Sequence, residues 1–300
     1  MKKVLIFGRG FMGNEFARRL AGSVVSPADI TDPAAVRAAI RENAPDAVLN
    51  AAGKTGTPNV DWCEDHVLET ISSNTLGPIA LAKACEQEGV YMAHLGSGCV
   101  YEGDNGGAGF SENDAPNFFG SVYSRSKMYS EMALREFPVL QLRLRMPVDS
   151  KPGPRNLVTK LAKYPKVASV KNSISVVDDF VPACKKLMEK GRTGIYNVTN
   201  PGAIEAVEIL GMYREIVDPS FEYALISLDE LYGFTKAKRS NCVLNTDKVA
   251  KEGIRMRPVR EAVRDCLFKY KKHFEADAGT KTETGASKSM KLTGGTGGVC

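Results

Sequence analysis

Residues 1–14, MKKVLIFGRGFMGN, decide the fold. The apolar run from Val4 to Phe7 reads as a buried strand. It runs into Gly8-Arg9-Gly10-Phe11-Met12-Gly13, and a helical pattern with Phe16, Ala17 and Leu20 on one face follows at once. Gly8 permits the turn, Gly10 lets the backbone approach a pyrophosphate, and Gly13 lets helix and strand pack closely. The helix N-terminus offers unpaired N–H groups and partial positive charge to phosphate. A glycine triplet alone is a weak signal. A strand before it and a helix after it make it a dinucleotide signature.

The pattern outward from this turn is strand–helix alternation. A short strand at 24–25 precedes a helix over 33–43, with Asp32 as N-cap and Pro33 at its first position. A strand at 47–49 ends at Asn50-Ala51-Ala52-Gly53. A helix over 64–88 is broken near Gly77-Pro78, and a strand at 90–95 runs into Gly96-Ser97-Gly98-Cys99. A glycine-rich loop over 102–121 leads to a helix over 123–135 and a strand over 139–144. The expected fold class is α/β: a Rossmann-type doubly wound parallel sheet with a smaller C-terminal substrate-binding lobe. The expected division is 1–150 for the dinucleotide-binding Rossmann core and 151–274 for the lobe. In the lobe, helices are expected over 155–164, 178–190, 204–213 and 258–272, and a strand over 194–198. One or two strands return to the sheet. From 275 to 300 the chain is Gly, Thr, Ser, Lys and Ala with cancelling charges, which reads as a disordered tail.

Composition narrows the class. Apolar residues at 43% and charged residues at 25% suit a globule, and no apolar run is long enough to span a membrane. The chain opens on a strand rather than a signal peptide. Its seven cysteines form no C-x-x-C pairs, so reduced thiols in a cytoplasmic protein are expected, without disulfides or a metal site. The net charge of +5 suits a diphosphate-bearing small ligand as well as a nucleic-acid surface, and the small ligand is the reading adopted, with no nucleic-acid or membrane partner.

The chemistry sits on Tyr123-Ser-Arg-Ser-Lys127, which places a phenol and an ammonium one helical turn apart on one face. A nearby cation favours the phenolate, making Tyr123 a usable acid/base. Ser97, just past a strand end, can hold a carbonyl oxygen beside the phenol. Ser, Tyr and Lys in this order after the glycine fingerprint resemble the extended short-chain dehydrogenase/reductase superfamily. That resemblance implies cofactor contacts from Asn74, from the adenine pair Asp29-Ile30, and from Ala51, Ala52 and Gly53.

Longer blocks narrow the resemblance. Gly53-Lys-Thr-Gly-Thr-Pro-Asn-Val-Asp-Trp-Cys-Glu-Asp-His66, Gly98-Cys-Val-Tyr-Glu102, Pro116-Asn-Phe-Phe-Gly-Ser-Val-Tyr-Ser124, Leu142-Arg-Leu-Arg-Met-Pro147, Arg155-Asn-Leu-Val-Thr-Lys160, Gly194-Ile-Tyr-Asn-Val-Thr-Asn-Pro-Gly202 and Arg239-Ser-Asn-Cys-Val-Leu244 are similar to the nucleotide-rhamnose synthase/epimerase-reductase family. The similarity spans residues 3–272. It implies 3,5-epimerisation and NADPH-dependent 4-keto reduction of a UDP- or dTDP-bound 4-keto-6-deoxyglucose, giving the rhamnose nucleotide. It also implies a homodimer, a cofactor contact from Pro147, and substrate contacts from Thr55, Asn59 and Trp62. Cys99 and Lys160 match the residues this family uses for epimerisation. No dehydratase module precedes Met1, so another enzyme is expected to supply the keto sugar.

Several residues admit a plainer reading. Cys99 is also readable as a small buried hydrophobe, and Lys160 as a solvated helix residue or phosphate clamp. Arg9, with no acid closing the strand at 24–25, fits a 2′-phosphate and so NADPH over NADH, or else it faces solvent. Trp62 reads as a pocket wall or core aromatic. His66 and His94 read as structural. Arg155 and Asn156 stand where a substrate diphosphate could bind, or form a helix cap. Arg239 is a distal candidate for that anion, or part of a solvated charge run. Two rival functions follow. One is a dTDP-4-dehydrorhamnose reductase-type enzyme without epimerase activity. The other is a non-catalytic nucleotide-binding regulatory subunit, against which the intact Ser97, Tyr123 and Lys127 argue.

Overall fold

The computed structural model describes residues 1–283. β1 (Val4–Phe7) passes through the glycine turn into α1 (Phe11–Arg19) and β2 (Ser23–Ser26), and α2 (Pro33–Asn43) leads to β3 (Ala47–Asn50). Two short helices, α3 (Trp62–Asp65) and α4 (Val67–Ile71), then a π-helical turn (Ser72–Leu76) and α5 (Gly77–Gln87), bring the chain to β4 (Tyr91–Ser97). α6 (Val122–Leu134) precedes β5 (Val139–Leu144). There follow α7 (Leu157–Leu161), β6 (Lys166–Ala168), α8 (Val177–Glu189), β7 (Gly194–Asn197), α9 (Ala206–Ile216), β8 (Ala224–Ile226), α10 (Leu228–Tyr232), α11 (Asp247–Lys251) and α12 (Val259–Glu283).

Six strands form one parallel sheet in the order β2-β1-β3-β4-β5-β7, with Phe7 level with Ser26 on one side and Asn50 on the other. The chain leaves β1 toward β2, then crosses back to β3. The C-terminal ends of β1 and β3 therefore border the crevice where strand order reverses, the place where such sheets bind ligands. Leu5, Ile6 and Phe7 are wholly buried, as a strand covered on both faces requires. Each such side chain contributes about 1.5–3 kcal/mol of burial. Phe16 of α1 and Phe180 of α8 meet edge to face on one side of the sheet, while Val36, Ile40, Leu81 and Cys85 cover the other. A second core joins α7, α9 and α12 through Leu161, Ile209, Tyr213, Val263 and Leu267.

Local chemistry sets the helix ends. Asp32 accepts from the backbone N–H groups of Ala34 and Ala35, and Pro33 follows it, as the sequence implies. Ser121 caps α6 by accepting from Ser124 N–H. Arg143, fully buried on β5, forks onto Glu131 of α6 with Nε–Oε2 and Nη2–Oε1 both at 2.7 Å. This bidentate pair fixes α6, and with it Tyr123 and Lys127, against the sheet.

The structure departs from the sequence reading in four places. The long helix before β4 breaks at His66 and loosens between Ser72 and Leu76, not at Gly77. Gly77 is there for packing, because a Cβ would stand 2.8 Å from Ile30 Cδ1. The helix expected over 155–164 covers only Leu157–Leu161, with Asn156 as its cap. β6, β8, α10 and α11 carry too few residues to show a period and went unanticipated. Finally, α12 continues to Glu283, nine residues into the stretch expected to be disordered. Ala276 and Ala278 favour helix, and Lys271 pairs with Glu275 one turn on. Residues 284–300 of that expected tail lie outside the described residues.

Candidate active site

The glycine turn is built as its sequence requires. Gly8 has φ +102°, and a Cβ on Gly13 would lie 1.9 Å from Gly8 O. A Cβ on Gly10 would instead meet nothing within 4 Å, so the N-cap of α1 faces open space. That is the cradle a pyrophosphate needs, and α1 adds its N-terminal charge. A cleft of about 280 Å³ opens beside it, along the ends of β1, β3 and β4. Gly10, Phe11, Met12, Ala51, Ala52, Gly53, Asn74 and Pro147 line it from the expected cofactor set. The residues present fit a nicotinamide dinucleotide.

The π-helical turn earns its irregular geometry by presenting Asn74, in keeping with the placement of such turns at functional sites. Asn74 Oδ1 accepts from Lys54 N–H at 2.7 Å, and its Nδ2 donates to Lys54 O and to Ser126 Oγ. Ser126 Oγ donates in turn to Tyr123 O, so the cofactor loop and α6 are stitched through one amide. Ser97, Tyr123 and Lys127 line the same cleft. Lys127 Nζ donates to Leu95 O at 3.1 Å. Burial brings its ammonium down to about 8, an effect that Cys99 partly opposes. Lys127 thus remains cationic near neutrality and close to losing its proton, which suits a group that tunes a phenol.

Cys99 and Lys160 reach the cleft as well, joined by Thr55, Asn59 and Arg155. The Cys99 N–H donates to Ser97 Oγ at 3.1 Å, fixing the serine and the thiol on one tight turn. Arg155 donates from Nη1 to Thr55 Oγ1 at 2.8 Å and from Nη2 to Thr57 Oγ1 at 3.0 Å, tying the segment before α7 to the loop after β3.

Other expected residues stand elsewhere. Asn156 is fully buried. Its Oδ1 accepts from Val158 N–H, and its Nδ2 donates to Asp149 O and Lys151 O, so it forms the helix cap that was the plainer reading of this residue. Trp62 is half-buried and stacks on His66 with centroids 3.8 Å apart, with Lys54 Nζ 5.9 Å from its ring centroid. Arg239 is buried rather than solvated, donates to Asp61 Oδ1 at 2.8 Å, and borders a separate cavity of about 30 Å³. Asp29 accepts from both the N–H and the hydroxyl of Thr31, and Ile30 packs beneath Gly77. Arg9 is exposed on the glycine turn. His94 is buried and held neutral by that burial, consistent with a structural role. Sequence reasoning missed Met146, which lines the cleft with φ +39°, and Arg145, which donates to Cys99 Sγ. The signal for Arg145 was strand alternation: Arg143 and Arg145 fall on one face at the end of β5.

Comparison with known proteins agrees with this geometry. The RmlD substrate binding domain profile matches residues 1–272. The chain belongs to the RmlD substrate-binding family. Within this family it is 40% identical over 256 residues to a bifunctional dTDP-4-dehydrorhamnose 3,5-epimerase/dTDP-4-dehydrorhamnose reductase of Arabidopsis thaliana, covering 83% of this chain and 85% of that one. It is 38% identical over 283 residues to an Arabidopsis trifunctional UDP-glucose 4,6-dehydratase/UDP-4-keto-6-deoxy-D-glucose 3,5-epimerase/UDP-4-keto-L-rhamnose-reductase, where the match covers 89% of this chain but 42% of the larger protein. The crystal structure of a UDP-rhamnose synthase from Acanthamoeba polyphaga mimivirus superposes with a TM-score of 0.85 at 33% identity, over 89% of this chain and 99% of that one. The family resemblance read from the sequence blocks is therefore correct, and the chain is an oxidoreductase.

Proposed function

We propose that this enzyme converts a UDP- or dTDP-bound 4-keto-6-deoxyglucose into the corresponding L-rhamnose nucleotide, by epimerisation at C3 and C5 and NADPH-dependent reduction at C4. One observation carries the reading: the cleft that takes Ser97, Tyr123 and Lys127 also takes Cys99 and Lys160. A reductase needs the first three. The further thiol and amine supply what epimerisation requires, a base and a proton donor flanking a carbon beside a ketone.

NADPH, when bound, supplies the hydride to C4. The glycine turn, Asn74-held loop and Lys127 position it. Ser97 and Tyr123 donate hydrogen bonds to the C4 oxygen, which makes the protons on C3 and C5 acidic. Cys99 removes such a proton, and Lys160 returns one to the opposite face. Once both centres are inverted, Tyr123 gives its phenolic proton to the C4 oxygen while Lys127 steadies the phenolate. The substrate itself is the product class of a 4,6-dehydratase. No helix among the described residues is long and apolar enough to cross a membrane. The exposed apolar side chains of Leu68, Leu76, Tyr129 and Met132 on α4, the π-helical turn and α6 support a homodimer, which light scattering tests directly.

The decisive experiment is incubation with UDP-4-keto-6-deoxyglucose and NADPH in deuterated water, followed by NMR. The expected product is UDP-L-rhamnose labelled at C3 and C5. Cys99→Ser and Lys160→Met should lose the label while still reducing a pre-epimerised 4-keto-rhamnose nucleotide. Tyr123→Phe should lose reduction by about two decades or more and keep NADPH binding. Full deuterium exchange in both epimerase variants would remove the bifunctional reading.

A further inference from the structure

Arg145 is wholly buried at the end of β5, and its guanidinium points at Cys99. Nη1 donates to Cys99 Sγ at 2.8 Å and to Ser240 Oγ at 3.3 Å. Nη2 donates to Ser240 O at 2.9 Å and to Asn172 Oδ1. These contacts from two other segments hold the planar group in one orientation, and a planar fork so held loses little freedom when it meets an anion. Gly98 completes the arrangement. A Cβ there would fall 2.8 Å from Arg145 Cγ and Cδ, so the arginine stem lies against the turn carrying Ser97 and Cys99 only because residue 98 has no side chain.

We infer that Arg145 is a positioning residue for the epimerase half of the reaction, holding Cys99 as a thiolate aimed into the cleft. The inference rests on the reading of Cys99 as the base. A buried apolar thiol is ordinarily inert, and a fixed cation at hydrogen-bond distance reverses that preference. The other groups facing Cys99 act on it together. Lys127 from α6 adds a second positive charge, and Tyr123 and Lys160 share the cleft. Cys242, from the segment beside it, is a neutral thiol whose own ionisation burial opposes and whose Sγ donates to Gly98 O.

The step balances. The proton on C3 or C5 moves to Sγ, the C–H electron pair enters the carbon–carbon bond, and the C4 oxygen takes the negative charge. Lys160 then places its proton on the opposite face of the carbon. Cys99 afterwards releases its proton to solvent and Lys160 takes one up. Arg145 transfers nothing. It lowers the cost of the thiolate before the proton is taken.

The test follows deuterium exchange into the keto sugar against pH. Arg145→Gln should slow exchange at pH 7 by about tenfold or more and move the rising limb up by about one unit or more, so that higher pH recovers the rate. Arg145→Lys should fall between the two, and Gly98→Ala, which displaces the stem without removing charge, should shift the limb in the same direction. Reduction of pre-epimerised substrate should stay within a few-fold of wild type in the Arg145 variants. A measurement that keeps Arg145 in place guards against misfolded Arg145 variants. The 240 nm difference titration between wild type and Cys99→Ser should show the thiolate forming below the ordinary thiol pKa of about 8.5. An ordinary or raised titration overturns the inference, as does a limb that Arg145→Gln leaves in place. Those results, with Cys99→Ser inactive in exchange, remove Arg145 alone. Undiminished exchange in Cys99→Ser removes the base reading and this inference with it.

Discussion

Gly13 stands so close to Gly8 that a Cβ on Gly13 would lie 1.9 Å from Gly8 O and 3.0 Å from its carbonyl carbon. The two glycines are one device, a helix start pressed onto the end of its own strand. Gly10 differs, because its missing Cβ leaves open space. Two separable outcomes follow. Gly13→Ala must move the backbone and should cost about 1–3 kcal/mol of stability, as overpacking does. Gly10→Ala should melt within a degree or two of wild type yet bind NADPH at least about tenfold more weakly, since the new methyl meets only the ligand. Thermal melts paired with calorimetric titration check both. Unimpaired binding by Gly10→Ala would mean the turn holds no pyrophosphate.

Lys127 carries a cost that only function repays. It is buried, and its ammonium is brought down to about 8 from 10.5. The unfolded chain therefore binds more protons than the folded one between those values, so this group's contribution to stability rises with pH across that window. Below about pH 8 the penalty is fully present. Lys127→Met should consequently stabilise the ligand-free protein by about 1–3 kcal/mol at pH 7, while reductase turnover collapses. The stability gap should narrow as pH rises from 8 toward 10.5. Urea unfolding at several pH values checks it, and a destabilised variant at pH 7 would show that the hydrogen bond to Leu95 O outweighs the buried charge.

Much of this site is legible in the sequence, and the reasons are local. Val4 to Phe7 is apolar throughout because both faces of β1 are covered, and Gly8, Gly10 and Gly13 answer to backbone geometry within six residues. Tyr123 and Lys127 share a helix face by spacing alone. What stayed hidden depends on distant partners. Gly77 looked like a breaker because nothing nearby in sequence reveals Ile30 beneath it. Asn156 reads equally as a ligand contact or a helix cap in sequence, and only the acceptors Asp149 O and Lys151 O show where its amide goes. Trp62 reads as a pocket wall or a core aromatic, and the structure adds His66 stacked on its ring one turn on. Arg239, in a basic run that reads as solvated, is buried against Asp61 across a separation no periodicity encodes.

Cofactor choice rests on the end of β2. That strand closes on Ser26, whose Oγ accepts from Ala28 N–H, and the next acid, Asp29, is engaged by Thr31. No carboxylate closes the strand where NAD-preferring enzymes place one for the ribose hydroxyls, and Arg9 is exposed on the turn. NADPH should bind about tenfold or more tightly than NADH, the worth of one charge-assisted contact of about 1.5–3 kcal/mol. Arg9→Ala should erase the difference without weakening NADH. A preference for NADH that ignores this substitution would assign the 2′ position to another residue.

Arg155 offers the sharpest separation of substrate from cofactor. It lies in the segment before α7, lines the cleft, and bonds to Thr55 and Thr57 of the loop after β3. A guanidinium that lines the cleft needs only to turn its fork from two neutral hydroxyls to a diphosphate, a far stronger acceptor. Arg155→Met keeps most of the stem and removes the fork. KM for the keto-sugar nucleotide should rise by about tenfold or more, with kcat changed by only a few-fold, because the contact serves ground state and transition state alike. The NADPH Kd should not move, since the glycine turn and Asn74 hold that ligand. Stability should fall by less than about 1 kcal/mol, as expected for a partly exposed polar contact. Steady-state kinetics with the pre-epimerised substrate isolate the effect from the earlier proton transfers. An unchanged KM would leave Arg155 as a strap between loop and lobe, and a kcat loss at constant KM would place it against the reacting sugar instead of the diphosphate.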